Sequence, residues 1–481
     1  MQINNLSYFP PTLLNPSYSF SSPILRLPEE LLTLIFSYLS VKDLVHAGMV
    51  CRQWNRIKED PILWTSLYRY DFPFFTSPNS SYTRAMYINS FVTQNNLKAG
   101  KIQKEIELPP YVGGKTFFDF SDSAGFLLVE VADKTRLWNL AHGRFQDSPT
   151  QLKGDICSLF SPDGSLLATA SSDGTVHLWN IITSALVHNL KGHTGMVIHA
   201  VFSEDGKMLA ILSDDRLVHL WKISTGECLH IFSHNEEIIH AIFSPDGRTL
   251  TVEDDNNKLH LWDIAKGQPI HVLNYEGEIY ENVFSPHGEL LATIFEEKTV
   301  RVCKVPTGEL LYTLNHEGDL WDCCFSPDGN LLATASQDHT VRLWEAVSGK
   351  LLHTFKHAGE VNKVAFTPDG SKLVAACQEN YAILWDICSG QAIHYLKHEK
   401  EVQSVFFSAD GSILVTTNFQ GQVNLWTVAE GVQFANLKSA STIYNEIRVA
   451  FSKDGSMIAL ATDSSIRILS FNPLFLNSSF S

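Results

Sequence analysis

The segment FSPDGSLLATASSDGTVHLWN, beginning at Phe160, returns as FSPDGNLLATASQDHTVRLWE at Phe325. Repetition at a fixed period restricts the fold of this chain more than any other property it has. The hydroxyl residue that opens each P-D-G-like turn stands at Ser121, Ser161, Ser203, Ser244, Ser285, Ser326, Thr367, Ser408 and Ser452, with successive separations of 40, 42, 41, 41, 41, 41, 41 and 44 residues. Nine such units describe a repeat architecture rather than a set of unrelated domains.

Each unit reads as an apolar alternation ending in Phe-Ser, a tight turn at Asp-Gly, a second alternation such as LLATAS, another turn, and a third such as TVHLW. The linking segments, CLHIFSH or LLYTLNH, supply a fourth, outer strand. Four antiparallel strands per period of about 41 residues is the pattern of a propeller blade, and over residues 101–470 the chain resembles the WD-repeat family. KIQKEIEL at Lys101 is placed to give the last blade its outer strand, closing the ring and removing exposed edges. Nine blades exceeds the usual four to eight, so an eight-bladed ring with one unit displaced stands as the alternative.

The WD-repeat resemblance implies a buried hydrogen-bond network in each blade, joining a His before the first strand, an Asp in the second hairpin and the Trp of the third strand. His193, Asp215 and Trp221 make one such set; His316, Asp338 and Trp344 make another. Elsewhere the set decays: Tyr275 replaces His, Cys303 replaces Trp, Gln420 stands at the Asp position, and the ninth unit keeps neither His nor Trp. The histidines at 193, 234, 316, 357 and 398 occur one per blade, too far apart to converge on an ion, so they read as structural and no metal or cofactor is expected.

Ahead of the repeat, Pro28 occupies a first helical position with Glu29 and Glu30 in the first turn, so a helix starts here and runs to about Leu39. Ser40 and Asp43 form a capping box for a second helix, whose Leu44, Ala47, Cys51 and Trp54 recur at three and four residues. Asp60 and Pro61 begin a third, with Leu63, Trp64 and Leu67 on its apolar face. Forty residues bury too little surface to stand alone without a staple or a partner, and Leu31, Leu32, Leu34, Ile35, Phe36 and Leu39 exceed the single stripe that docking on a small core needs.

LPEELLTLIFSYLSVKDLVHAGMVCRQWNRIKEDPILWTSL closely resembles the F-box, the helical module that binds the adaptor subunit of cullin-RING ubiquitin ligases. The resemblance implies adaptor contacts at Pro28, Leu31, Ile35, Leu39 and Val50, with Trp54 and Trp64 shaping the module. The excess apolar surface would then be an interface for a partner helix. The expected class is multidomain: a disordered tail at 1–23, an all-α F-box at 24–70, a helical connector at 71–100, an all-β propeller at 101–470 and a C-terminal tail at 471–481.

Acidic residues outnumber Lys and Arg by 52 to 36, and the formal charge of -16 opposes nonspecific nucleic-acid or anionic-membrane binding. No apolar run reaches membrane-spanning length, and the eight cysteines show no C-x-x-C spacing. With no secretory leader pattern, the expected location is the cytoplasm, with the nucleus or a host cytoplasm as alternatives. No nucleophile elbow, P-loop or H-E-x-x-H is present, and an enzyme is not expected.

Seven residues before each key Ser or Thr lies the rim of the propeller, and counting back gives Glu237, Glu278, Asp319, Glu360 and Glu401 in five successive blades. Two residues further on stand Ile239, Tyr280, Trp321, Asn362 and Gln403. One reading is an acidic arc with Tyr280 and Trp321 as aromatic anchors for a basic protein segment; the other is a set of solvated turn residues copied by duplication. Phosphate recognition wants clustered Arg, which this rim lacks. The F-box resemblance points to a substrate receptor, its partners a ligase adaptor, through it a cullin, and a target protein. A scaffold without a ligase role, or a microbial effector that redirects a host ligase, would use the same domains.

Overall fold

The structure, a computed structural model, describes residues 155–171, 173–274, 277–295, 298–438, 447–452, 457–461 and 466–470, preceded by the strands Lys104–Glu107, Phe117–Ser121, Phe126–Val131, Lys134–Asn139 and Arg144–Gln146. The three helices read over 27–67, the connector and both tails lie outside these residues. So do Pro28, Leu31, Ile35, Leu39, Val50, Trp54 and Trp64.

Among the described residues, thirty-six strands form nine four-stranded antiparallel sheets. Eight sheets take their strands consecutively from the chain, and we number these blades 1 to 8 in order. Blade 9 consists of Arg448–Phe451, Met457–Ala461 and Ile466–Ser470, with Lys104–Glu107 as its outer strand; Ile106 pairs with Ile468 across that seam. The first strand of blade 1 lies against the first strand of blade 9, so the ring closes. No unit is displaced, because each of the nine has a complete sheet, and the eight-blade alternative does not hold.

The alternation read in each unit explains where the core sits. Second strands such as Leu331–Ser336 are buried along nearly their whole length, as a strand covered on both faces must be. Fourth strands such as Leu351–Lys356 alternate toward solvent. Apolar clusters join each pair of adjacent blades from 1/2 to 8/9. At the junction of blades 6 and 7, Val341, Leu343 and Phe355 meet Val361, Val364 and Phe366. Each fully buried aliphatic or aromatic side chain there contributes roughly 1.5–3 kcal/mol.

The recurrent Ser and Asp residues close turns. Ser326 Oγ donates to Asp328 Oδ1 at 2.5 Å and accepts from the Leu331 N–H at 2.9 Å. The Ser326 hydroxyl, with the N–H of Asn330, holds the Asp328 carboxyl below its usual range. The same pair of bonds recurs at Ser161, Ser203 and Ser408, so these hydroxyls serve the fold.

The buried network contains a member the sequence reading left out. In blade 6 the Trp344 Nε1–H donates to Thr334 Oγ1 at 2.9 Å, and Thr334 Oγ1 lies 2.8 Å from His316 Nε2. His316 Nδ1 lies 2.9 Å from Asp338 Oδ2, which also accepts from the Glu317 N–H at 3.1 Å. Four side chains thus form one chain of bonds that ties the loop entering the blade to its second hairpin. Burial pushes the His316 pKa down to about 4 against the pull of Asp338, so the ring is neutral and its Nδ1–H donates to the carboxylate.

In blade 3 the equivalent of Thr334 is Ile211. His193 still meets Asp215 at 3.1 Å, but His193 Nε2 and Trp221 Nε1 lack a protein partner among the described residues. The expected His193–Asp215–Trp221 set therefore stops at the carboxylate, since an aliphatic side chain can relay no hydrogen bond. His193 instead stacks on His219, ring centroids 3.8 Å apart.

Candidate binding face

Six successive first strands, those of blades 2 to 7, break register near their start: between Asp155 and Cys157, Val197 and His199, Ile238 and His240, Ile279 and Glu281, Leu320 and Asp322, and Val361 and Lys363. A bulge leaves one residue unpaired and re-aims its side chain. That residue is Ile239 in blade 4, Tyr280 in blade 5 and Trp321 in blade 6, exposed by 51%, 58% and 47%. Three large apolar side chains on adjacent blades therefore face solvent for a backbone reason. Asn362, at the same position in blade 7, is half-buried and donates to Val402 O at 2.9 Å.

The rim acids divide into two groups. Glu237, Glu278 and Glu401 are exposed and Asp319 is half-buried; among the described residues none of these four carboxylates has a side-chain hydrogen bond or ion pair. Glu360 is different. Gln378 Nε2 donates to its Oε2 at 3.0 Å and Gln337 Nε2 approaches its Oε1 at 3.4 Å, so this carboxylate is engaged in joining hairpins of blades 6 and 7.

Counting from the Ser missed two acids that the second hairpins bring to this face. The Asp255 N–H donates to Glu237 O at 3.0 Å, and the Asp214 N–H to Met196 O at 3.0 Å; both aspartates are exposed. The doublets DD in LSDDRL and VEDDNN were the available signal. In the hairpins and loops of this face in blades 3 to 8, the described residues include one arginine, Arg216, whose Nη1 donates to Asn235 O at 2.6 Å. No arginine cluster forms there.

Beneath the Tyr280 and Trp321 positions, three ionisable residues span blades 5 to 7. Lys363 Nζ lies 2.6 Å from Asp322 Oδ1 and 3.8 Å from Glu281 Oε1, and Asp322 Oδ2 accepts from the Val364 N–H at 2.7 Å. Burial works against the Lys363 charge, but Asp322 and Glu281 outweigh it and hold the ammonium above its usual range. This triad fixes the first strands that carry the exposed aromatics. Blades 3 and 4 place His199 and His240 at the same register, ring centroids 5.2 Å apart. No group of three or more His, Cys, Asp or Glu among the described residues is arranged to hold a metal ion.

Comparison with known proteins bears on both parts of the chain. A family model described as F-box-like matches residues 24–70. The model of the WD domain, G-beta repeat, matches 147–180, 184–222, 226–263, 308–345, 349–386 and 390–427. It passes over the blade containing Cys303 at the Trp position, yet that blade has all four strands, because neighbours on both sides impose them. F-box/WD repeat-containing protein 7 of Drosophila melanogaster is 25% identical over 176 residues, 36% of this chain and 11% of that protein. Cell division control protein 4 of Saccharomyces cerevisiae is 23% identical over 196 residues, 36% of this chain and 25% of that protein. F-box/LRR-repeat protein 5 of Salmo salar is 42% identical over 48 residues, 10% of this chain and 7% of that protein.

The matches span about a quarter or less of each of these relatives' lengths. Among solved structures, the C-terminal WD40 domain of Sif2 superposes with a TM-score of 0.51 at 18% identity, covering 66% of this chain and 97% of that one, a likeness of fold alone. An F-box-like segment followed by a WD-repeat ring places the chain among the F-box/WD-repeat proteins.

Proposed function

We propose that the chain is the substrate receptor of a cullin-RING ubiquitin ligase, acting in the cytoplasm: the F-box docks on the adaptor and the propeller captures a protein target. The match of residues 24–70 to the F-box-like model carries this reading. The adaptor contacts are Pro28, Leu31, Ile35, Leu39 and Val50. The chain performs no bond chemistry; its contribution is proximity, which raises the effective concentration of target lysines near the ligase.

The target engages the face of blades 4 to 6. Ile239, Tyr280 and Trp321 supply apolar anchors, and Glu237, Asp255, Glu278 and Asp319 surround them with negative charge not neutralised by ion pairs among the described residues. Such a surface suits a segment with Lys or Arg flanking an apolar residue. Glu360, already held by Gln337 and Gln378, marks the end of the arc.

The test is a pull-down of purified adaptor with the wild-type chain and with a Pro28→Ala, Leu39→Ala double variant. Capture by wild type that the double variant loses supports the receptor reading. No capture by folded wild-type protein overturns it and leaves a binding scaffold with no ligase role.

A further inference from the structure

In blades 5, 6 and 7 the bulged residue is followed at once by a member of the buried triad: Tyr280 by Glu281, Trp321 by Asp322, and Asn362 by Lys363. Each aromatic anchor is therefore one peptide bond from a triad carboxylate. The other blades with this bulge carry Cys157, His199 and His240 at the same register, so adjacent carboxylates occur in blades 5 and 6 and in no other bulged pair.

The triad sets two carboxylates against one ammonium, with Lys363 Nζ 2.6 Å from Asp322 and 3.8 Å from Glu281. Asp322 is 2% exposed. The groups acting on it are Lys363 and the Val364 N–H from blade 7, Glu281 from blade 5, and the Cys323 and Cys324 thiols on its own strand, which burial keeps protonated. No second cation is among them. Two carboxylates that share one counter-charge, one of them buried, resist ionising together, and a proton is the smallest cation that restores the balance. Burial, with Glu281, lifts the Asp322 carboxyl to about 7 against the pull of Lys363 and the Val364 N–H.

We propose that the Glu281–Lys363–Asp322 triad holds one exchangeable proton beneath Tyr280 and Trp321, and that this proton tunes the face above it. With the proton on the Asp322 carboxyl the triad is neutral; released to water, it leaves one negative charge under the anchors. The effect on recognition rests on the reading of this face as the target-binding surface, whereas the proton site does not. A basic segment on the face favours the ionised triad, so its binding expels the proton. By linkage, that segment binds more tightly as pH rises through neutrality and less tightly as pH falls. Burial keeps His199 and His240 neutral in this range. Glu253, which burial raises to about 7, lies on the second strand of blade 4, where it accepts from Asn282 Nδ2 at 3.1 Å, and needs its own control.

The experiment places 5-fluorotryptophan at position 321 of the full chain and follows its fluorine resonance from pH 8.5 to pH 5.5. The expected result is a one-proton transition centred near 7, absent in Asp322→Asn and moved at least about one pH unit lower in Glu281→Gln, which leaves a balanced Asp322–Lys363 pair. Glu253→Gln should leave the transition in place. A wild-type resonance without a transition, one that stays unmoved in Glu281→Gln, or one that Glu253→Gln removes overturns the proposal; Glu281 is half-exposed, so that variant decides even where Asp322→Asn fails to fold. Binding of a lysine- and arginine-containing dodecapeptide should then be several-fold weaker at pH 6 than at pH 8 in wild type and nearly equal at the two in Glu281→Gln. The same pH dependence in both chains overturns the control of the face by the triad. A peptide that binds neither chain fails the reading of the face instead, while the resonance at 321 still decides the proton.

Discussion

His230, on the outer strand of blade 3, packs against Gly267 in the last turn of blade 4 so closely that a methyl group on Gly267 would come within 2.3 Å of His230 Nδ1. The arrangement recurs at five more junctions: His188 with Gly226, His271 with Gly308, Tyr312 with Gly349, His353 with Gly390, and His394 with Gly431. At two of them a hydrogen bond is added, Tyr312 Oη–H donating to Ala346 O and His394 Nε2–H to Ala429 O. The circumference of the ring is therefore clasped from blade 2 to blade 8, outside the apolar junctions.

Gly267 has a φ of 65°, so an alanine there meets both backbone strain and the His230 ring. Gly267→Ala should cost about 2–4 kcal/mol, read by urea denaturation. Adding His230→Ala should recover the steric part, and a double-mutant cycle showing no coupling would remove the clasp from the account of stability.

Thr334 is the relay on which His316 and Trp344 both depend. Thr334→Val should destabilise the chain by about 1–3 kcal/mol, the cost of leaving buried polar groups without partners. The exposed Thr354, on the outer strand of the same blade, is the control and should tolerate valine within about 0.5 kcal/mol.

Acid should weaken the ring through its buried histidines. Burial pushes His234, His316, His357 and His398 down to about 4, whereas in the unfolded chain each titrates near 6.5. Between those values the unfolded state binds more protons. The stability these neutral rings permit is thus complete above pH 6.5 and is lost as pH falls toward 4. Denaturant midpoints should fall steadily from pH 7 to pH 5, and His357→Leu should flatten that slope by on the order of one proton.

The arc is tested by charge. Glu278→Lys with Asp319→Lys should weaken binding of a lysine- and arginine-containing dodecapeptide at least about tenfold at low salt, with an unchanged thermal midpoint. Glu227→Lys with Glu309→Lys makes the same charge change on exposed outer strands and should leave much of the binding in place. Equal losses from both pairs would reduce the arc to general electrostatics.

Periodicity made much of this legible in advance. The 41-residue spacing fixed the strand order within each blade, the turn chemistry of Ser326 and Asp328, and the use of Lys104–Glu107 to complete blade 9. The features that escaped depend on contacts that residue spacing does not carry. Thr334 reads as an ordinary strand residue in LLATAS, and only packing puts its hydroxyl between a His and a Trp. His230 and Gly267 belong to different blades, so no pattern within one repeat joins them. Glu360 looks like its neighbours in the arc until Gln337 and Gln378 are seen around it. Tyr280 and Trp321 were read as rim anchors from spacing alone, but the bulge beneath them is a backbone irregularity that spacing does not announce.

The outer strand of blade 9 imposes an order of events during synthesis. Lys104–Glu107 leaves the ribosome before any blade exists, and its partner Ile466–Ser470 emerges only after residues 108–465. At roughly 5–20 residues per second the early strand waits on the order of 20–70 s with its backbone amides unpaired. During that interval it is the part of the nascent ring most able to join a wrong edge, including that of a neighbouring chain. Ring closure is consequently a late, long-range step, and the yield of native protein in a cell depends on how well this four-residue strand is kept from other partners until the C-terminal hairpin arrives.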